Sequence, residues 1–202
     1  MTLRDQGLLR DATLVVLLAY AGPRPGEALA LSWPHVKDRV LLVERALQGD
    51  GDFKETKTRA IRTVDLVAPL TADLAEWRMA SGRPTDDRLV FPTRRGTAWT
   101  KHDWQNWTRR VFKPTAEGAG LVGARPYDLR HVFCSLLIRE GREITEIARQ
   151  AGNPPSLLVD THGHVIEEMR GGERVTAEVA IRAAREAGVS EKCPPAAIIA
   201  TG

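Results

Sequence analysis

The segment ATLVVLLAYAGPRPGEALALSW, residues 12–33, limits the fold more than any other part of the chain. Its first half is apolar on every side of a helix, so a helix over 8–22 must be wrapped by other elements. The run is about half the roughly 20 residues that a bilayer-crossing helix needs, so it reads as a core helix and no membrane partner is expected. Gly22 and Pro23 stop it, and Pro25 suits the first turn of a short second helix over 25–33. A length of 202 residues is enough to supply the wrapping from one sizeable core.

After that helix pair the hydrophobic period changes. Residues 39–47, 52–57 and 60–66 are short alternating or β-branched segments separated by turn residues, which predicts a three-stranded antiparallel sheet. Helical spacing returns over 69–82, where Leu70, Leu74 and Trp77 share a face. A short extended piece follows at 87–92. Thr100 reads as an N-cap for a helix that Pro114 must kink. Further helices are predicted over 126–141, 142–152 and 172–189, with Gly141 and Gly152 as stops. The expected fold class is therefore mixed, mainly α, with a small three-stranded antiparallel sheet.

Hydrophobic residues make up 43% of the chain and charged residues 27%, which suits a globular protein. Two cysteines, Cys134 and Cys193, form no disulfide framework, and Cys134 in HVFCSLLI reads as a core thiol. With no apolar leader after Met1, a cytoplasmic location is the expectation.

The formal charge of +3 is modest, so its placement matters more than its sum. Lys54, Lys57, Arg59 and Arg62 gather on the hairpin, opposed only by Glu55. Arg94, Arg95, Lys101, Arg109, Arg110 and Lys113 gather around a helix containing Trp104 and Trp107. Glu167, Glu168, Glu173 and Glu178 make the C-terminal part acidic. One basic face laid on phosphates is the functional reading, and a solvated ion-paired surface is the plain one. The tryptophans, three residues apart on a helix, are expected in the core.

Arg24 stands in the Pro-rich turn between the first two helices, and Arg130 stands one turn into a helix in RPYDLRHVF. Guanidinium is a planar, permanently charged fork that matches two phosphate oxygens. Two such groups converging from distant segments suit a phosphoryl-transfer transition state. Lys57, on the basic hairpin, is a candidate donor of a proton to a leaving oxygen.

Four segments in order resemble the catalytic domain of the tyrosine recombinases, the phage-integrase family, and in particular its actinobacterial-type members. They are GPRPGEALALSW, TKTRAIRTVDL, RPYDLRHVFCSLLIREG and IARQAGNPPSLLVDTHGHVIEE. The likeness runs from about residue 8 to about residue 170. It implies that Arg24 and Arg130 clamp the scissile phosphate of duplex DNA, with Glu27 supporting Arg24. It implies that Lys57 is the general acid for the departing 5′-hydroxyl and that His131 is structural. In the family a tyrosine attacks the phosphate and stores the bond energy as an ester, so neither ATP nor a metal is required, and no cofactor is expected.

Three positions depart from the family pattern. Tyr127 stands where histidine is frequent and Asn153 where histidine or tryptophan is usual; both keep a hydrogen-bond donor. At the third, DTHGHV reads THGH where the family has tyrosine at the first histidine, so His162 occupies the nucleophile's position and His164 is a family feature. Strand cleavage is therefore expected to be lost or severely reduced. Two alternatives stand beside this reading: a strand transferase using His162 or Tyr127 as nucleophile, and a non-catalytic DNA-binding remnant. His162 and His164 as a metal pair lack a third ligand at metal-binding spacing, so no metal site is expected.

The resemblance also implies a division into a catalytic domain over 1–170, a C-terminal helix over 171–188 and a flexible tail over 189–202. Family members carry a further helical domain before the catalytic one, which is expected to be absent here, leaving DNA binding weak, salt-sensitive and largely nonspecific. Self-association on DNA through the C-terminal helix is a further expectation from the family.

Overall fold

The computed structural model describes residues 2–48, 52–55, 61–85, 87–169 and 175–189. Helix α1 (Leu9–Tyr20) runs through the middle, with Leu14, Leu17 and Leu18 all within 1% of full burial. The all-round apolar helix is thus enclosed as its sequence demands: α3 (Ala68–Ala80) and α6 (Leu129–Glu140) pack on it. The turn after α1 is a steric necessity. Gly22 has φ +61°, and a Cβ there would run into the ring of Phe133 on α6. Gly22→Ala is therefore expected to destabilise the protein by more than about 1 kcal/mol, read as a lower denaturation midpoint at unchanged m-value.

Helix α2 (Pro25–Leu29) is shorter than the 25–33 expected from sequence, because a 3₁₀ turn at Trp33–His35 takes over. Four strands follow among the described residues: β1 (Val40–Val43), β2 (Arg45–Gln48), β3 (Asp52–Glu55) and β4 (Arg62–Asp65). Antiparallel pairing is as expected, but a single three-stranded sheet is not what forms. Among the described residues β1 pairs with β4 and β2 pairs with β3, as two separate ribbons. The segment read as one strand over 39–47 breaks at Glu44. There the side chains turn away to local partners: His35 Nε2 meets Glu44 Oε1 at 2.7 Å, and Arg45 Nε donates to the Ala30 carbonyl at 3.0 Å. The piece at 87–92 makes only an isolated bridge, Ser32 to Leu89.

Thr100 caps α4 (Lys101–Trp107) as expected, its Oγ1 accepting the Asp103 N–H at 3.1 Å. Pro114 has no N–H to return to residue 110, and the helix answers with a π turn at Thr108–Phe112 before α5 (Lys113–Gly118). Trp107 is buried, stacks on Trp104 at 4.9 Å and donates to Asp11 at 3.0 Å, so both tryptophans belong to the core.

The C-terminal half is helical: α6, then α7 (Ile144–Ala151), α8 (Pro155–Met169) and α9 (Ala177–Val189). Helix α9 lies on α6 and α3 of its own chain, burying Ala177 and Ile181. Arg185 fastens it, ion-pairing with Asp73 at 2.6 Å and lying over the Tyr20 ring at 5.4 Å. The tail expected over 189–202 lies, from residue 190, outside the described residues. None of the described helices is long and apolar enough to cross a membrane.

Candidate phosphate-binding site

The site is assembled around one buried carboxylate. Arg24 is the N-cap of α2, with extended backbone that Pro25 then turns into the helix. Three residues on, Glu27 folds back and its Oε2 accepts the Arg24 backbone N–H at 2.7 Å. Its Oε1 accepts Arg24 Nη1 at 3.0 Å. The same carboxylate receives both terminal nitrogens of Arg62 from β4, at 2.9 and 2.6 Å. Burial pushes the Glu27 carboxyl upward, but the hydrogen bonds and charge of Arg62, with the help of Arg24, hold it below its ordinary value.

Arg62 therefore leaves the group of expected DNA contacts. It is buried against Glu27, and its Nε donates to the Gln150 carbonyl at 2.9 Å. The reason was present in the strand pattern. Arg62 and Val64 alternate with exposed Thr63 and Asp65, so Arg62 shares the inward face of β4 with Val64. Gln150 reinforces the joint, its Oε1 accepting the Asp65 N–H at 3.0 Å, and so ties α7 to β4.

Arg24 spends its second terminal nitrogen on the end of α7, donating to the Gly152 carbonyl at 2.8 Å and to Asn153 Oδ1 at 3.0 Å. Gly152 takes φ +65°, and a Cβ there would stand 3.0 Å from the Arg62 guanidinium, so glycine is needed on both counts. Arg130 comes to the same corner from α6. Its Nη1 donates to the Gly22 carbonyl at 2.6 Å and its Nη2 to the Ala151 carbonyl. Burial, and then the charge of Arg24, press its guanidinium below arginine's usual value. Among the described residues no carboxylate ion-pairs with Arg130, although it is only 3% exposed.

The two arginines thus converge, as does most of the expected site. Tyr127, Arg130, His131, Asn153 and His162 line one pocket of about 230 Å³, with the buried Cys134 thiol in its wall. Burial raises that thiol to about 11, so it stays protonated and unreactive. Tyr127 is held in a 3₁₀ turn by the Arg125–Asp128 ion pair at 2.9 Å, with its ring edge-on to His131. Lys57 and Arg59 lie outside the described residues, and of Lys54 only the backbone, in β3, is described. Arg94, Arg95, Lys101, Arg109 and Arg110 are exposed, as their expected role requires.

His162 sits at a kink in α8, at φ −119° and ψ 16°, and is 4% exposed. Its Nε2 stands 3.5 Å from His131 Nδ1 and its Nδ1 stands 3.4 Å from Ser135 Oγ. Burial, then the neighbouring His131 and His164, lower it to about 4, so the ring is neutral near pH 7. Nothing in the sequence pairs residues 131 and 162; only the packing of α6 on α8 does. Because the folded-state value lies below the unfolded 6.5, the unfolded chain takes up the proton first as pH falls. The stability that neutral His162 contributes is complete above pH 6.5 and is lost on the way down to about pH 4. The slope is up to about 1.4 kcal/mol per pH unit. His162→Phe is expected to flatten that limb in urea titrations at stepped pH; an unchanged limb assigns the acid sensitivity elsewhere.

Together, the two arginines and the buried carboxylate beneath them make a cationic corner beside the pocket, a chemistry that suits an oxyanion. The profile described as the phage integrase family matches residues 2–153, and the chain belongs to that family. An integrase of Streptomyces ambofaciens is 29% identical over 175 residues, covering 77% of this chain and 44% of that one. The tyrosine recombinase XerD of Vibrio vulnificus (strain YJ016) is 24% identical over 165 residues, covering 79% of this chain and 50% of that one. The chain thus spans about half the length of the curated relatives it matches. Among solved structures, the Tn1549 transposon integrase in complex with a circular intermediate DNA superposes with a TM-score of 0.66 at 17% identity, covering 91% of this chain and 60% of that one. XerA recombinase gives 0.61 at 18% identity, covering 83% and 58%. The fold is that of a tyrosine recombinase catalytic domain.

Proposed function

We propose that this domain binds duplex DNA by seating one backbone phosphate between Arg24 and Arg130, and that His162 in the nucleophile's place leaves it impaired in strand cleavage. The observation that carries the reading is Arg130: a buried guanidinium, bonded to two carbonyls and, among the described residues, to no carboxylate, beside a second arginine. Such a pair leaves positive charge in a concave site, which a phosphate diester neutralises. Tyr127 and Asn153 line the same pocket and supply further donors. Lys57 is assigned the proton for the leaving 5′-oxygen by its family position alone. Both the DNA-bound Tn1549 integrase structure and the family support DNA as the partner.

Fluorescence anisotropy with a short duplex at low salt tests this. Arg130→Ala is expected to weaken binding at least tenfold. Arg109→Ala with Arg110→Ala is expected to reduce the slope of log K against log salt by about 2, one phosphate contact each. Undetectable binding at low salt, or an Arg130→Ala variant that binds like the parent, rejects the proposal.

A second reading rests on one observation: His162 is neutral near pH 7, the form in which imidazole attacks. Its nitrogen would bond to phosphorus as the 5′-oxygen departs with a proton from Lys57, leaving a phosphoramidate. Against this, its burial and both nitrogen contacts aim it at protein rather than at the pocket mouth. Tyr127, 43% exposed in the pocket lining, is the other candidate nucleophile. An acid-labile DNA adduct mapping to residue 162, or an acid-stable one at 127, would establish these alternatives.

We assign self-association on DNA to α9, which would exchange its own-chain seat for a neighbour's by breaking the Arg185–Asp73 pair. A reduced cytoplasm suits the free, buried Cys134 and a DNA partner.

A further inference from the structure

Three carboxylates are buried among the described residues: Asp11, Glu27 and Asp73. Asp11 is met by its neighbour Arg10 and by Trp107, and Glu27 anchors the arginine corner. Asp73, on α3 and 5% exposed, takes no part in that corner and draws its partners from two distant segments. Its Oδ1 accepts Arg4 Nη2 at 2.7 Å, from the turn ahead of α1. Its Oδ2 accepts Arg185 Nη2 at 2.6 Å, from α9. Arg185 Nη1 also reaches Oδ1, at 3.4 Å, so both guanidiniums bear on one oxygen. A single negative charge thus serves two positive ones, which repel each other at such close range. Each cation has a second support: Arg4 Nη1 donates to Glu76 Oε2 at 2.6 Å, and Arg185 lies over the Tyr20 ring.

The rest of the α9 seat is thin. Ala177 and Ile181 are its buried residues among those described. An open cavity of about 410 Å³ runs beside its first turn, lined by Leu66, Phe133, Leu137 and Ile181. A helix with so few buried contacts opens locally at a cost set largely by the groups it strands. A lone carboxylate in that position would be costly, because an unpaired charge keeps its desolvation penalty. Arg4 averts this: with α9 away, Asp73 still has one cation on Oδ1.

We infer that Asp73 is a shared clasp for which Arg4 and Arg185 compete, and that α9 is a releasable strap whose opening Arg4 makes easier. The coupling runs both ways, so loss of Arg185 tightens the hold on Arg4. Two independent ion pairs would show no such exchange. The inference does not rest on the phosphate-binding reading. It concerns how readily α9 leaves its own-chain seat, whatever surface receives it.

Hydrogen exchange of the full chain, from milliseconds to hours, tests it in peptides covering residues 177–189 and 2–8. Arg185→Ala is expected to speed exchange in α9 by more than about tenfold. Arg4→Ala, which removes an ion pair, is expected to slow exchange in α9 by about threefold, and Arg4→Lys should stay near the parent because it keeps the charge. Arg185→Ala should in turn slow exchange over residues 2–8. Urea denaturation establishes that each variant is folded. In an Asp73→Asn background, Arg4→Ala should have no effect on α9. If that background fails to fold, the paired Arg4 and Arg185 variants decide the matter alone. Exchange in α9 that is unchanged or faster in folded Arg4→Ala overturns the inference. So does an Arg4→Ala effect that survives in folded Asp73→Asn, or an α9 indifferent to Arg185→Ala.

Discussion

Glu27→Ala is expected to be among the most destabilising single substitutions in this protein, costing about 3–5 kcal/mol. The carboxylate is 2% exposed and accepts four hydrogen bonds, from both terminal nitrogens of Arg62 and from the backbone and side chain of Arg24. Removing it leaves the Arg62 guanidinium buried with, among the described residues, only the Gln150 carbonyl on its Nε. Breaking a buried pair in this way costs far more than the pair contributes, because the orphaned charge keeps its full desolvation penalty. Helix α2 also loses the group that receives its N-terminal N–H. Urea denaturation at neutral pH reads the effect. Glu27→Gln should recover part of the loss, since the amide oxygen can still accept from one arginine. The double variant Glu27→Leu with Arg62→Met should lie closer to the parent than Glu27→Ala, because it buries no unpaired charge. A Glu27→Ala variant within about 1 kcal/mol of the parent would show that water reaches Arg62 and that the carboxylate is not the keystone of the site.

How far the sequence discloses this arrangement depends on whether a residue's role is set locally. Arg24 is legible because prolines flank it and Glu27 follows three residues later, so cap, turn and helix start are written in one short stretch. The helix of Arg130 is legible from its apolar period and Gly141 stop, and Thr100 from the acid three residues on. The charge of Arg62 suggests solvent, while the two-residue alternation it shares with Val64 points inward; burial follows the alternation. The strand break at Glu44 depends on partners in the preceding turn, His35 and Ala30, that no period within the strand reveals. The contact of His131 with His162 spans 31 positions and exists only because α6 and α8 pack together. Periodicity assigns each helix a buried face, but it does not say which residues of two such faces will meet.

On the proposed reading, in which His162 stands in the nucleophile's place, His162→Tyr is expected to restore strand cleavage. Apart from Lys57, which lies outside the described residues, the other proposed members stand close together. Arg24 and Arg130 meet at the ends of α1 and α7, and the pocket beside residue 162 is bounded by Tyr127 and Asn153. His162 itself is neutral, buried and turned toward His131 and Ser135, a poor posture for attack on a phosphate held by the arginines. Loss of a nucleophile alone costs a hydrolytic enzyme about 10⁶ in rate, so its return should carry the reaction from below detection to a measurable level. The assay is a nicked half-site duplex at low salt, where phosphate contacts are strongest, followed by denaturing electrophoresis. His162→Tyr should give a protein band shifted by the mass of the DNA and stable to acid, with none from the parent chain. The band should vanish when Arg130→Ala is added, because a tyrosine without the clamp has no oriented phosphate to attack. If His162→Tyr binds the duplex as the parent does and still forms no adduct, the nucleophile is not what the site lacks. The defect would then lie with the proton donor assigned to Lys57 or with the placement of the phosphate. Lys57→Ala on a substrate whose 5′-oxygen is replaced by sulfur separates these two cases, since a sulfur leaving group departs without a proton and reports placement alone.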